Sequence, residues 1–484
     1  MSEHPEVAIW TPPNYDISRP PRLSKAFSLE KDDTWAYNFA RLAKWYHPDG
    51  STAIAQCENR SFHLLDILRP HRSSMILDSS MAETSISPSR VFCQPSPILD
   101  FEWYPAATVH DPASYCFLAS VRECPVKLLD AADGRLRASY KIVDHRERFI
   151  APHSMAFNPA ANKIYCGFED AIEVFDIQEP GEGTRLHTTP SKKSRDGLKG
   201  IISALAFCRD TTSGMYAAGS LSPSAPSSSN IALFSETGGE APIMFLGAES
   251  RTPRQGFGVR AGVMQMMFNP ALPYLLYASF RRHEIIYEWD LRSDVSVPAR
   301  TFHRHGSTDP ASKSRTERPH AELTNQKLRF DIDSCGRWLA VGDQHGDVTL
   351  FDLATGHQSP VHHGDENSAG RLGPALKYPA HGDAVGSVAF HPLRPCLLSV
   401  SGSRHFDARY ENMAQDGDPV SSSSDSEDDD GDGSASQDAI ATGRRDSLVK
   451  INRAHPQPVA FDASVKVWNF EVGACRTGAG IENQ

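Results

Sequence analysis

His153 to Ile177 read HSMAFNPAANKIYCGFEDAIEVFDI, three short strand patterns with almost nothing between them. An apolar strand ends at Phe157-Asn158-Pro159, where the chain must reverse. A strand of small and apolar residues follows, and a third, alternating strand closes on Phe175-Asp176. Alternation puts one face of each strand inside, and the Asn-Pro and Glu-Asp turns keep the connections short. A small antiparallel sheet of this kind cannot bury both its faces alone, so copies must stack.

Six further copies appear on either side. The first is WYHPDGSTAIAQCENRSFHLLDI (45–67), and the second runs from ILDFEWYP (98–105) through YCFLASVRECPVKLLDAADGRLRASYKI (115–142). GIISALAF (200–207), MYAAGS (215–220) and IALFSE (231–236) form the fourth, around a Pro/Ser-rich loop at 221–230. VMQMMFNPALPYLLYASF (263–280) with IIYEWDLR (285–292) makes the fifth, and KLRFDIDSCGRWLAVGDQHGDVTLFDL (327–353) the sixth. The seventh is split: VGSVAFHPLRPCLLSVSGS (385–403) supplies two strands, and DASVKVWNF (462–470) the third. The pattern predicts an all-β, seven-bladed WD-repeat β-propeller over 23–470. The outermost strand of the last blade is expected from Leu23 to Glu30, and flexible tails at 1–22 and 471–484.

The two halves of the seventh copy are joined by a hydrogen-bonding set found in WD-type blades: a His before the first strand, a Ser in the second, an Asp in the following turn and a Trp ending the third. Here these are His381, Ser399 or Ser401, Asp462 and Trp468. Buried polar groups must satisfy one another, so the expected role is structural. A Ser-His-Asp catalytic reading would need an exposed nucleophile and oxyanion donors as well.

The 484 residues carry a formal net charge of −11, but ten Asp or Glu and no Lys or Arg fall between 410 and 440, leaving the remainder near neutral. Global acidity therefore does not exclude a polyanion-binding face. Nine scattered cysteines with no C-x-x-C suit a reducing compartment and give no zinc spacing. MSEHPEVAIW has neither the basic nor the apolar region of a secretory signal, and no run approaches the roughly 18 apolar residues of a spanning helix, so no membrane association is expected.

Other motifs dissolve on inspection. GFGVRAG (256–262) precedes a strand, where a dinucleotide fingerprint needs a helix. DDDGDG (428–433) begins like a calcium loop but has Ala439 at its twelfth position. His303, His305, His320 and the pair His362-His363 lie in polar loops without ligand spacing. The chain is expected to be no enzyme, with no cofactor, metal or small-molecule substrate. The acidic insert, 404–461, lacks the apolar content to order itself. Within it Ser424 and Ser426 each have an acidic residue three positions on, the pattern acidophilic kinases favour; a solubilising loop with no switch is the alternative.

The basic residues carry more information. In this blade type the loops between second and third strands share one face of the ring with the loops linking successive blades. The first set holds Arg60, Arg122, Phe280-Arg281-Arg282-His283 and Arg404-His405-Phe406. The second holds Arg146, Arg148, SKKSRDGLK (191–199) with Lys192, Lys193 and Arg195, then Arg251, Arg254, Arg260 and the segment 301–327. Cations with rings beside them are what single-stranded RNA requires, cations for phosphates and rings for unstacked bases. Against this, Glu58, Glu123, Glu169-Asp170 and Asp343 lie in the same class of loop. Composition alone stops at a binding platform.

ASVRECPVKLLDAADGRLRASYKIVDH (119–145) followed by PHSMAFNPAANKIYCGFEDAIEVFDI closely resembles the telomerase Cajal body WD-repeat family, which shows a like Ser-x-Arg-Glu-x-Pro turn, Gly-x-Leu-Arg-Ala-Ser strand, His-Ser-x-x-Phe and Cys-Gly-Phe. GIISALAF, YEWDLR, TNQKLRFDID (324–333) and the acid-rich insert are similar too, and the resemblance covers roughly 35–406. It implies a nuclear, non-enzymatic RNA-binding scaffold. Family members bind the CAB-box loop of small Cajal body RNAs and telomerase RNA, associate with box H/ACA proteins and direct those particles to Cajal bodies. Fungal relatives resemble splicing-associated nuclear proteins, so spliceosomal small nuclear RNA and its proteins are also implied partners. The Pro/Ser insert and short N-terminal region depart from the animal pattern and favour small nuclear RNA maturation or splicing over telomerase recruitment. Arg122, Lys192, Lys193, Arg195, Arg281, Arg282 and Arg404 are the expected phosphate contacts, and Phe280 or Phe406 the stacking rings; of these, family motif positions support Arg122, and the rest follow from loop placement. The alternative from another class is a protein–protein hub, a splicing, methylation-complex or ubiquitin-ligase adaptor without direct RNA contact.

Overall fold

A strand packed on both faces has no solvent side to mark with polar residues, so it reads as a continuous apolar or small run. The second strands of the repeats are of this kind: Cys116–Val121, Leu275–Phe280 and Trp338–Gly342 are buried throughout. The computed structural model describes residues 11–29, 37–67, 89–191, 193–194, 196–221, 230–247, 261–304, 324–355, 370–406 and 458–471. Among them are thirty strands and no helix. The strands form seven sheets, each with an antiparallel core of four, and the chain is a seven-bladed β-propeller as the repeats predict.

Seven apolar clusters fill the seven contacts between neighbouring blades, the last uniting blade seven with blade one. Contact is closest where the first strand of one blade crosses the second strand of the blade before it. A Cβ on Gly167 would lie 2.7 Å from Ile202 Cγ2, and one on Gly219 would lie 2.7 Å from Val263 Cγ1. Gly342 meets Val385 in the same way. The recurring small residue near the end of the second strand is therefore a packing requirement between blades.

The ring closes on the N-terminal segment. Arg22–Ser28 pairs antiparallel with Ser464–Asn469, giving blade seven the order N-terminal strand, Ser464–Asn469, Cys396–Ser401, Val385–Phe390. The split seventh repeat is thus one sheet, and its open side is covered from the other end of the chain. Packing begins before the tail boundary expected at residue 22. Tyr15 is buried edge-on against Phe390 and Phe470, and Asp16 N–H donates to Phe470 O at 3.0 Å.

Blades two and five gain a fifth strand that no repeat pattern anticipates. Gly181–Glu182 runs parallel to Leu136–Lys141, and Arg371–Leu372 runs parallel to Arg300–His303. Where blade seven admits its long insertion, His405 and Val459 exchange two backbone hydrogen bonds, at 2.9 and 2.8 Å. Residues 407–457, with Ser424, Ser426 and the acidic run, lie outside the described residues.

Candidate nucleic-acid interface

Blade seven's polar set has the geometry of a packing network. Trp468 Nε1 donates to Ser399 Oγ at 2.8 Å, and the same hydroxyl lies 2.7 Å from His381 Nε2. His381 Nδ1 is 3.0 Å from Ser464 Oγ and 3.4 Å from Asp462 Oδ2, which also accepts Gly382 N–H at 2.8 Å. Burial pushes the His381 imidazole below its ordinary range, with the Asp462 carboxylate opposing. Ser399 is fully buried between two ring systems, so its hydroxyl has no open side from which to attack a substrate. Of the two serines weighed, Ser401 Oγ instead donates to Asp383 O at 3.0 Å. Ser399→Ala strands the Trp468 N–H and a His381 nitrogen together. A drop of about 1–3 kcal/mol in urea unfolding is expected, and a change below a few tenths would exclude this network as a support of blade seven.

The second-to-third-strand turns are tight in blades one, two, three and five. Glu123, Asp170 and Arg282 hold the same left-handed place, second after the strand, with φ of 60°, 56° and 57°, and Arg60 is left-handed one position later, with φ of 64°. A non-glycine residue held there costs of order 1 kcal/mol. These turns thrust their preceding residue outward: Arg122 and Arg281 are exposed and, among the described residues, make no ion pair. Lys193, in the loop entering blade four, is exposed in the same way. Arg282 Nε donates to Asn325 Oδ1 at 2.8 Å. Arg404 pairs with Glu58, its guanidinium 5.7 Å from the Tyr37 ring. Lys192 and Arg195 lie outside the described residues.

The acids of this face divide into two groups. Glu58 is buried between Arg41 and Arg404, and Asp343 is buried, paired with Lys377 at 3.3 Å. Asp170 accepts Gly200 N–H at 2.6 Å. Glu123 and Glu169 stay exposed.

Of the two expected rings, Phe280 departs from expectation. Phe280 is buried among blades four and five, edge-on to Tyr287, because it ends a strand with both faces covered; it offers no open face for stacking. Phe406 is half exposed, at 51%. Phe461, which the repeat pattern does not single out, is 70% exposed and stacks on His405, with centroids 3.9 Å apart and planes at 18°. His405 Nε2 is 2.9 Å from both Asp383 carboxylate oxygens, which holds the lower ring of this pair in place.

No family model matches the chain. Telomerase Cajal body protein 1 of Mesocricetus auratus is 28% identical over 413 residues, 85% of this chain and 66% of that protein. That of Homo sapiens is 27% identical over 395 residues, 81% of this chain and 62% of the relative. These proteins are homologues of the chain. The chain spans just under two thirds of the length of each of these two. The guanine nucleotide-binding protein negative regulator 1 of Schizosaccharomyces pombe is 26% identical over 183 residues, 37% of this chain and 45% of that protein. The likeness to telomerase Cajal body protein 1 extends over most of the ring and agrees with the resemblance read from the blade-two and blade-three motifs.

Phe461 left no signal that sequence reading could use. It lies 56 positions after His405, and only the reunion of the split blade brings the two rings together.

Proposed function

We propose that this chain is a nuclear, non-enzymatic scaffold of small ribonucleoproteins that holds an RNA loop on the face carrying Arg122, Lys193, Arg281, Arg282 and Arg404. One observation carries the reading: Arg122, Lys193, Arg281 and Arg282 are exposed on that face without carboxylate partners among the described residues, while two of its acids, Glu58 (paired with Arg41 and Arg404) and Asp343, are withdrawn into buried pairs. Such a surface attracts a polyanion, with Phe406 able to take an unstacked base. Homology to proteins named for telomerase and the Cajal body points the RNA toward that class, a small Cajal body, telomerase or spliceosomal small nuclear RNA, and the location toward the nucleus and its Cajal bodies. Box H/ACA or spliceosomal proteins are the corresponding protein partners. Lys192 and Arg195 belong to the same proposed surface by their place in the chain.

The test is to crosslink tagged protein to RNA in cells, purify it under denaturing conditions and sequence the attached RNA. Small nuclear or box H/ACA RNAs are expected. A lane at background, with protein partners that survive nuclease, would make the chain a protein-binding hub instead. In vitro, Arg281→Ala with Arg282→Ala should lower the slope of log affinity against log salt by about 1.4, some 0.7 for each single-strand phosphate no longer neutralised. An unchanged slope and affinity would remove these two residues from the interface.

A further inference from the structure

Four cations meet two carboxylates where this face opens onto the axis of the ring. Arg41 lies in the inner strand of blade one, Ala40–Trp45, and Lys327 and Arg329 lead into that of blade six, Phe330–Ile332. Blade seven draws the two together. Arg329 N–H donates to Gly386 O at 3.0 Å, and a Cβ on Gly386 would lie 3.0 Å from Arg41 O. Both blade-six cations then reach across the channel. The Arg329 guanidinium is 3.3 Å from Asp100 Oδ1 in blade two, and Lys327 Nζ is 3.5 Å from Ser203 O in blade four.

The counter-charge falls short even with Glu102, which lies within electrostatic reach of Arg329 but is already paired with Lys44. Asp100 also accepts Met155 N–H, at 3.3 Å. Glu58 is shared by Arg41, at 3.5 Å, and Arg404. Like charges held together in a partly desolvated place repel more strongly than they do in water, unless an anion joins them. Burial, then Arg329 and more weakly Arg41, push the Lys327 ammonium down to about 8, with Asp100 opposing. His153, lowered chiefly by burial, faces Lys327 and Arg122.

We propose that the mouth of the axial channel is a phosphate socket in which Arg41, Lys327 and Arg329 grip one phosphodiester of the bound RNA loop. Two guanidinium forks and one ammonium, drawn from blades one and six, supply several donors, which suits the several oxygens of a phosphate better than the two of a carboxylate. The socket rests on the RNA reading for its occupant, but its geometry is independent of the outer rim. A free phosphate compound has the same chemistry, and the two sources are separable by experiment.

The full chain and its Lys327→Met and Lys327→Arg variants, matched by thermal melting, are titrated with inorganic tripolyphosphate by calorimetry and with a fluorescent small nuclear RNA loop by anisotropy. Wild type is expected to bind both, and Lys327→Met to weaken both about tenfold, as removal of one charge-assisted hydrogen bond should. An anion requires Lys327 protonated, so wild-type affinity should fall as pH rises through about 8. Lys327→Arg, charged throughout, should stay flat. RNA binding within twofold of wild type in Lys327→Met would overturn the socket while leaving the outer face standing. Tripolyphosphate binding abolished in Lys327→Met, with no RNA bound by wild type, would keep the socket for a free phosphate compound and remove the RNA reading. Binding of neither by folded wild type would overturn both.

Discussion

Phe27→Ala is expected to lower the unfolding free energy by about 3–5 kcal/mol, the usual cost of emptying a large buried aromatic site. Phe27 is 1% exposed, yet it lies on Arg22–Ser28, the outermost strand of its blade, where side chains are ordinarily half wet. It is buried because the cluster between blades seven and one closes over it, with Leu29, Ala43, Leu65, Leu398 and Val467 around the same core. Losing the ring therefore loosens the one strand that joins the two ends of the chain. Ser464–Asn469 would then present an unpaired edge, a template for association with other chains. Urea unfolding followed by tryptophan fluorescence measures the destabilisation, and gel filtration at partial denaturation should reveal oligomers absent from wild type. A monomeric variant less than 1 kcal/mol weaker would mean that closure does not depend on this strand.

Glu288→Ala should cost a similar amount for a different reason. Arg300 and Glu288 form a fork-to-fork pair, at 2.7 and 2.6 Å, with both side chains almost wholly buried. Arg300 Nη1 also donates to Leu353 O at 3.0 Å and Thr355 O at 3.1 Å, which ties blade five to blade six. Removing the carboxylate leaves a guanidinium buried without counter-charge, a cost of about 3–5 kcal/mol. Replacing both residues, Glu288→Met with Arg300→Leu, should recover much of that, since neither then carries a stranded charge. A double-mutant cycle in urea distinguishes the cases; a double variant as weak as Glu288→Ala would show that the backbone hydrogen bonds to blade six, and not the charge pair, carry the stability.

The repeats were legible because each blade is made of local contacts. In His153 to Ile177 every turn is tight, so neighbouring strands in the sheet are neighbours in the chain. The seventh blade could be read only through its polar set, whose members keep their identity whatever lies between them. Other features were hidden for definite reasons. Phe280 looked like an exposed ring beside a basic turn, but a strand covered on both faces carries no alternation to show which way its last residue points. Tyr15 sits in a Pro-rich stretch with no period, and its burial is created by Phe390 and Phe470 from the far end of the chain. Arg41 stands at the head of blade one's inner strand, and Lys327 and Arg329 at the head of blade six's. Ring closure brings them together, which no local reading could do.

The two hydrogen bonds between His405 and Val459 have a consequence for engineering. They bring the departing and returning chain to one point on the rim, so a guest sequence placed between them meets the blade through a single stem. For any flexible guest, each doubling in length adds only about 0.6 kcal/mol of closure cost. A reporter domain or affinity tag whose own termini lie close together could be grafted there as a pendant, its size decoupled from the integrity of the propeller.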